Sequence, residues 1–193
     1  MSLRLAKALE RIDRENGADP SHVRFEGTEY PAALIEGVRA HRWVQQLRPA
    51  APEALLISAR GHHLRRWEIP RASYPRTRQG YLDWRSYLYD FHANAVAKVM
   101  RRAGYTEDAI VHAGRLLRKR GIKVDADAQT YEDAVSLAFL EVRLPSFMET
   151  VTYEQLARAL RRTWHKMSDA GQAAALMLDL EPRAAKAVRR ALT

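Results

Sequence analysis

The feature that most constrains the fold is a spacing of apolar residues by three or four positions, which recurs along the whole chain. This spacing places apolar side chains on one side of an α-helix, whereas a half-buried strand needs strict two-residue alternation. The pattern therefore predicts an all-α fold, a multi-helix bundle of about eight to ten helices with no sheet. The predicted helices span residues 3–15, 31–47, 53–67, 81–102, 106–120, 128–142, 152–166, 169–178 and 182–192.

Capping and helix-breaking residues mark the ends of these helices. Ser2 can cap the first helix, and Thr152 with Gln155 matches the capping-box pattern. Residues 18–30 contain Asp19-Pro20 and Gly27, which are typical of turns, and residues 68–80 contain Pro70, Pro75 and Gly80, which neither a helix nor a central strand accepts. Both stretches are therefore predicted to be loops.

Length and composition favour a single folded domain. The chain has 193 residues, 47% of them hydrophobic, which is enough for one core. We expect one all-helical domain over residues 1–193, with residues 152–193 as a candidate C-terminal helical subdomain. The absence of cysteine excludes disulfides, thiolate zinc sites and cysteine nucleophiles. No apolar run could span a bilayer and no signal peptide is evident, so we expect a cytoplasmic protein with no membrane partner.

The segment 60–85 contains seven arginines together with two histidines, two tryptophans and two tyrosines. Guanidinium groups bind phosphate and carboxylate oxygens and stack on aromatic rings, and the prolines of this segment stiffen it. A net charge of +9 also favours an anionic partner. The segment is interpreted as an anion-binding loop for a phosphorylated ligand. The alternative is a loop held to its own domain by arginine–carboxylate pairs and arginine–tryptophan stacking.

Several histidines and acids fall on or beside the apolar stripes of predicted helices. His41, His63 and His92 each follow an apolar residue by three, four or seven positions, and Glu132 and Asp133 open the most apolar helix. A polar group on such a stripe needs a partner, because its burial is otherwise unfavourable. Histidine and carboxylate together suit a divalent metal or an acid–base pair. No His-x-x-x-His pair occurs, so such a site has to be assembled from separate helices.

Several short sequence segments resemble those of a known protein family. They are His63–Trp67, Pro70-Arg71, Tyr74-Pro75, Arg78, Gly80–Arg85, Phe91–Ala93, Gln129, Glu132-Asp133, Phe139–Glu141 and Trp164–Ser168. Together they resemble domain of unknown function 4202, a family that brings no established activity with it. The resemblance covers most of the chain.

A looser likeness is to the HD-domain phosphohydrolases. These are all-α proteins whose metal site takes a His from one helix, a His-Asp pair from the next and a late Asp. His41, His62-His63 and Asp133 occur in that order, with His63 or Leu64 at the position of the pair's Asp. This likeness implies an HD-domain-like bundle and a divalent metal ion that serves hydrolysis.

The leading functional expectation is a metal-dependent hydrolase that acts on a small phosphorylated or otherwise anionic substrate. One alternative is a nucleic-acid-binding module that uses the Arg/Trp/Tyr-rich loop 60–85, and another is a non-catalytic helical interaction protein. The candidate catalytic residues are His63, Asp133 and Glu132; the candidate substrate-binding residues are Arg66, Arg71, Arg78, Arg85, Tyr74 and Lys119; and the candidate metal ligands are His41, His62, His63, His92 and Asp133.

Two spatial relationships follow from this hypothesis. His63 and Asp133 should come close although they are far apart in sequence, because both are expected on inward faces of buried helices. Arg66, Arg71 and Arg78 should converge on one anion site beside His63, because Pro70 and Pro75 fold the chain back toward the next helix.

Overall fold

Ten α-helices make up most of the fold in the part of the chain that the computed structural model describes, residues 1–192. The helices are α1 (Leu3–Asn16), α2 (Ala32–Leu47), α3 (Glu53–Arg60), α4 (Arg78–Arg102), α5 (Glu107–Leu117), α6 (Ala126–Ala138), α7 (Leu144–Thr150), α8 (Tyr153–Lys166), α9 (Asp169–Leu176) and α10 (Pro182–Leu192). The predicted all-α class is confirmed. Within residues 1–192, no helix combines the length and the apolar character that crossing a membrane requires.

A small β-hairpin interrupts the helices, so the prediction of no sheet was wrong. Strands β1 (His22–Phe25) and β2 (Thr28–Pro31) pair antiparallel, with Val23 opposite Tyr30. The turn between them places Glu26 at φ +49° and Gly27 at φ +80°, the two positive φ angles that a two-residue hairpin turn requires. The hairpin packs on α2 through a small apolar cluster of Val23, Ala32, Ile35 and Val142.

Two hydrophobic clusters stabilise the bundle. The first is built from α1 and α3–α6 with part of α2, and the second from the end of α6 together with α7–α10. Trp43 of α2 packs against both clusters, and its indole N–H donates to Glu141 Oε2 at 2.8 Å. The second cluster begins at Leu137, before the predicted start of the candidate subdomain 152–193, whose last residue lies outside the described part of the chain.

The helix caps that the sequence predicts are present. Ser2 accepts from the backbone N–H of Leu5, and Thr152 and Gln155 form the reciprocal capping box at the start of α8. These caps satisfy N–H groups that have no partner in the first turn of a helix.

The helix predicted over 128–142 differs from a regular α-helix at its end. Residues Phe139–Arg143 wind as a π-helix between α6 and α7. Pro145 follows this segment; it lacks an N–H, and its ring excludes the carbonyl of residue 141 that an α-helix would place there. The wider turn accommodates the proline and sets the directions of the Glu141 and Arg143 side chains.

The site is positioned by a close approach between α2 and the end of α3. A Cβ on Gly37 would lie 2.4 Å from the carbonyl oxygen of Arg60, so only glycine lets the two backbones come this near. Glu36, the residue before Gly37, thereby lies beside the chain that leaves α3 at Gly61.

Candidate functional site

The end of α3 brings two adjacent histidines into the interior. The predicted helix 53–67 was too long: α3 ends at Arg60, because Gly61 begins a series of tight turns that ends with Arg65 at φ +56°. His62 is 8% exposed, and its Nδ1–H donates to the carbonyl of Ala59 at 2.9 Å. The rings of His62 and His63 lie 4.1 Å apart. The turns therefore hold both imidazoles in one place.

His63 makes a direct contact with Glu36, an acid from α2. Nδ1 of His63 lies 2.6 Å from Oε2 of Glu36, and Nε of Arg143 lies 3.1 Å from Oε1. Arg143 favours the carboxylate form of Glu36, so Nδ1–H of His63 donates to it and Nε2 keeps its lone pair. Glu36 is only 4% exposed. A buried carboxylate thus fixes the orientation and tautomer of His63.

His92 of α4 adds a third imidazole to this group. Its Nδ1–H donates to the carbonyl of Leu64 at 3.1 Å, and its ring lies 6.0 Å from that of His63. Nε2 of His92 is buried and has no hydrogen-bond partner among the described residues. We refer to Glu36, His62, His63 and His92 as the Glu–His cluster.

Burial keeps the imidazoles of the Glu–His cluster neutral. Desolvation lowers the pKa of His62 to about 3, and desolvation together with the charge of Arg66 lowers the pKa of His92 to about 3. Burial and Arg66 also lower the pKa of His63. Burial raises the pKa of Glu36, whereas Arg143 opposes that shift. Since each Nδ1 faces an oxygen, each neutral ring presents an unprotonated Nε2.

Part of the cluster has the spacing of a metal site. Glu36, His62 and His63 can each supply one ligand atom, and these atoms lie within 4.8 Å of one another. The contact of His62 Nδ1 with the carbonyl of Ala59 resembles the second-shell bonds that orient metal-binding histidines. Two predicted ligands, His62 and His63, therefore belong to this group, and the acid beside them is Glu36.

His41 and Asp133, which were predicted as further ligands, have other partners. Nδ1 of His41 bonds the carbonyl of Leu56 at 3.2 Å, between α2 and α3. Asp133 accepts from the N–H and the hydroxyl of Ser168 at 2.8 and 2.6 Å, and from Gln129 at 2.9 Å. Among residues 1–192, His63 and Asp133 share no hydrogen bond or ion pair, and their predicted proximity stays a prediction. Asp133 instead ties α6 to the N-terminus of α9.

Glu132, the other predicted catalytic acid, binds two lysines. Nζ of Lys119 lies 2.5 Å from Oε2 of Glu132, and Nζ of Lys166 lies 3.3 Å from Oε1. Lys119 is held at φ +56° and lies 5.7 Å from the ring of Tyr131. Burial lowers the pKa of Lys119, while Glu132 opposes the shift. The positive charge of Lys119 helps to lower the pKa values of His62 and His63. This effect indicates that Lys119 and its partner Glu132 lie next to the cluster.

One arginine of the predicted anion-binding loop, Arg66, lies beside the cluster, whereas Arg85 binds tyrosines. The guanidinium of Arg66 stacks 4.7 Å from the ring of Trp84, and its charge acts on Glu36 and His92. Among the described residues, it has no carboxylate partner within ion-pair distance. Arg85 bonds the hydroxyl groups of Tyr81 and Tyr89.

The other loop residues that were predicted to bind substrate do not contact the cluster. Arg71 donates to the carbonyls of Tyr74 and Pro75 at 2.9 and 2.7 Å, so its guanidinium braces the loop. Arg78 is exposed at the first position of α4. The structure thus assigns Arg71 a structural contact within the loop and brings only Arg66 of the three predicted arginines to the histidines.

Sequence reasoning missed Glu36 and Arg143. Glu36 lies on the buried face of α2, between Ala33 and Ala40, so the same test that singled out inward histidines could have found it. The apolar spacing of this helix favours Leu34 and Val38 as its inward face, but both residues are only half-buried. Arg143 carries no sequence signal, because its direction depends on the π-helical segment.

These features define an all-α bundle that encloses a buried Glu–His cluster bordered by arginines. The chain belongs to the family described as domain of unknown function (DUF4202), which matches residues 6–188. No curated protein and no solved structure matches the chain. The likeness to HD-domain phosphohydrolases is therefore not confirmed by these comparisons.

Proposed function

We propose that the protein is a metal-dependent hydrolase of a small phosphorylated or otherwise anionic substrate. The observation that carries this proposal is the placement of Glu36, His62 and His63, whose ligand atoms lie within 4.8 Å of one another around the buried carboxylate of Glu36. Neutral imidazole and carboxylate are ligands for zinc, manganese, iron, cobalt or nickel. An ion bound there would supply a water of lowered pKa as the nucleophile.

The cations beside the cluster support an anionic substrate. Among residues 1–192, Arg66 has no acidic partner in ion-pair contact, and it is stacked on Trp84, which holds its guanidinium in place without neutralising it. Arg143 contacts the same carboxylate that His63 contacts. A phosphate near these groups can form charge-assisted hydrogen bonds with them, each worth roughly 1.5–3 kcal/mol.

His92 is suited to a proton-transfer or ligand-binding role in this scheme. Its unpartnered Nε2 is a lone pair inside the protein, where an unmade hydrogen bond is unfavourable. A substrate hydroxyl or a water beside the ion would satisfy it. In this scheme Glu132 and Asp133 have structural roles rather than catalytic ones. Lysines bind the oxygens of Glu132, and Ser168 binds those of Asp133.

The nucleic-acid alternative draws less support from the loop 60–85. Four of its seven arginines bond groups within the protein: Arg60 with Asp13, Arg65 with Glu68, Arg71 with loop carbonyls, and Arg85 with the hydroxyls of Tyr81 and Tyr89. A phosphate backbone needs cations that are free to contact it. Of the remaining arginines, Arg76 and Arg78 are exposed on the loop, and Arg66 lies beside the Glu–His cluster.

The test combines metal binding with activity. The purified chain, stripped with a chelator, is titrated with Co²⁺, and visible absorption reports histidine ligation; phosphomonoesters are then assayed with Co²⁺, Mn²⁺ or Zn²⁺. We expect binding and hydrolysis in the wild type and loss of both in His62→Gln and His63→Gln. His22→Gln, which changes an exposed histidine on β1, is the matched control. Wild-type protein that binds none of these ions would contradict the proposal.

A further inference from the structure

Positive and negative charges are unequal around the Glu–His cluster. Within residues 1–192, Glu36 is the one carboxylate of the cluster, and Arg143 already pairs with it. The backbone N–H of Arg66 donates to the carbonyl of His63 at 3.0 Å, and the charge of Arg66 acts on Glu36, His63 and His92. The three histidines contribute no charge when they are neutral. The site therefore has an excess of positive charge before any ion binds.

A divalent cation would increase this excess. With two arginines, one carboxylate and a divalent ion, four positive charges would face a single negative one around the buried carboxylate of Glu36. Like charges repel more strongly in the interior than in water, and an uncompensated buried charge is strongly destabilising. Glu132, the neighbouring buried acid, does not supply the missing negative charge, because Lys119 and Lys166 neutralise it.

We infer that the metal ion and a dianionic ligand bind this site cooperatively, so that the phosphate dianion of a monoester completes a metal site that is electrostatically unfavourable without it. The inference rests on the proposed function and specifies its substrate class. A phosphomonoester dianion offsets two positive charges, whereas a diester offsets only one. The preferred substrate is therefore a phosphomonoester.

Linkage makes this inference measurable without turnover. If the anion raises metal affinity, the metal must raise anion affinity by the same factor, and couplings of this kind typically amount to about 5- to 150-fold. Arg66 is the residue on which the coupling depends most, because it has no acidic partner in contact. Removal of its charge should have two effects of opposite sign: stronger metal binding without phosphate, and weaker enhancement by phosphate.

The experiment measures Co²⁺ affinity in phosphate-free buffer and in inorganic phosphate, with chloride matched for ionic strength. For the wild type we expect phosphate to raise the affinity by at least about fivefold. For Arg66→Gln we expect tighter binding than wild type without phosphate and little response to it. Arg76→Gln removes the same charge from an exposed position of the same loop and should behave like wild type.

If Arg66→Gln does not fold, Arg143→Gln replaces it. We expect the same two changes in this variant: tighter Co²⁺ binding without phosphate and a weaker response to phosphate. Wild-type Co²⁺ binding that is equally tight with and without phosphate would overturn the inference and leave the proposed metal-dependent activity standing. An Arg66→Gln protein that binds Co²⁺ more weakly than wild type without phosphate would also overturn it. Failure of the wild type to bind Co²⁺ in either buffer would instead remove the proposed function itself.

Discussion

Nδ1 of His63 lies 2.6 Å from Oε2 of Glu36, although the two residues belong to different elements and are separated by 27 positions. The contact depends on the close approach of α2 to the end of α3 at Gly37. It connects the one buried carboxylate of the site with the histidine that extends toward Arg66. Its chemical role can be separated from its structural role by substitution.

Glu36→Gln should keep the shape of the side chain and remove its charge. The amide oxygen can still accept from His63, but it no longer offsets Arg143 or a bound cation. We expect Co²⁺ affinity to fall by about 10- to 100-fold, the usual effect of altering a residue that ligates or orients a ligand. Glu68→Gln, which neutralises an exposed acid paired with Arg65, is the control. Unchanged Co²⁺ affinity in Glu36→Gln would show that this carboxylate has no part in metal binding.

Stability should fall as the pH drops from about 7 to 5. The pKa values of His62, His63 and His92 are lowered in the folded protein, so the unfolded chain binds more protons below pH 6.5. Each neutral histidine then contributes up to about 1.4 kcal/mol per pH unit to this loss. Glu36, whose pKa is raised, contributes with the opposite sign but is a single group.

Urea unfolding at several pH values measures this dependence. His92→Gln should flatten the slope by the share of one histidine, whereas His22→Gln should leave it unchanged because His22 is exposed. A free energy of unfolding that is constant between pH 7 and 5 would mean that the three imidazoles titrate normally in the folded state.

Asp133→Ala should reduce stability without changing metal affinity. The substitution removes three hydrogen bonds and leaves the N–H and hydroxyl of Ser168 without their partner, at a cost of about 1–3 kcal/mol or more. Chemical denaturation measures the loss, and Co²⁺ titration at a temperature where the variant is folded measures the site. A large loss of Co²⁺ affinity in a folded variant would restore Asp133 as a ligand.

Arg71→Gln should loosen the loop rather than weaken anion binding. The guanidinium of Arg71 holds the carbonyls of Tyr74 and Pro75, and glutamine is too short to reach both. We expect faster proteolysis within residues 68–78 and an unchanged thermal shift by phosphate. Arg66→Gln should give the reverse pattern. Loss of the phosphate response in Arg71→Gln would place Arg71 at the anion site after all.

The helices and their caps could be predicted from the sequence, because they depend on local patterns. Apolar spacing and the Thr152–Gln155 capping box act within one or two turns. The hairpin was missed because its strands have only four residues and because Glu26, unlike glycine or asparagine, is not a typical residue for a positive φ. Local patterns also overextended α3, although Gly61 marked its end.

The candidate site could be predicted only in part. The burial of Asp133 and His92 followed from their helical positions and is confirmed, with 3% and 4% exposure. Their partners depend on how distant elements pack, which a single sequence does not encode in any local pattern. Asp133 was predicted to act together with His63. In the structure Asp133 accepts from Ser168, and the acid that contacts His63 is Glu36.

The π-helical segment has a consequence for how this chain can vary in length. Such a segment is equivalent to one extra residue inserted in an α-helix, and each residue of an α-helix turns the chain by about 100°. A chain with one residue fewer between Phe139 and Arg143 could restore regular helical bonding. It would, however, rotate Arg143 by more than a quarter of a turn away from Glu36. A single deletion at this point would therefore change the charge of the site while leaving every residue of the Glu–His cluster in the sequence.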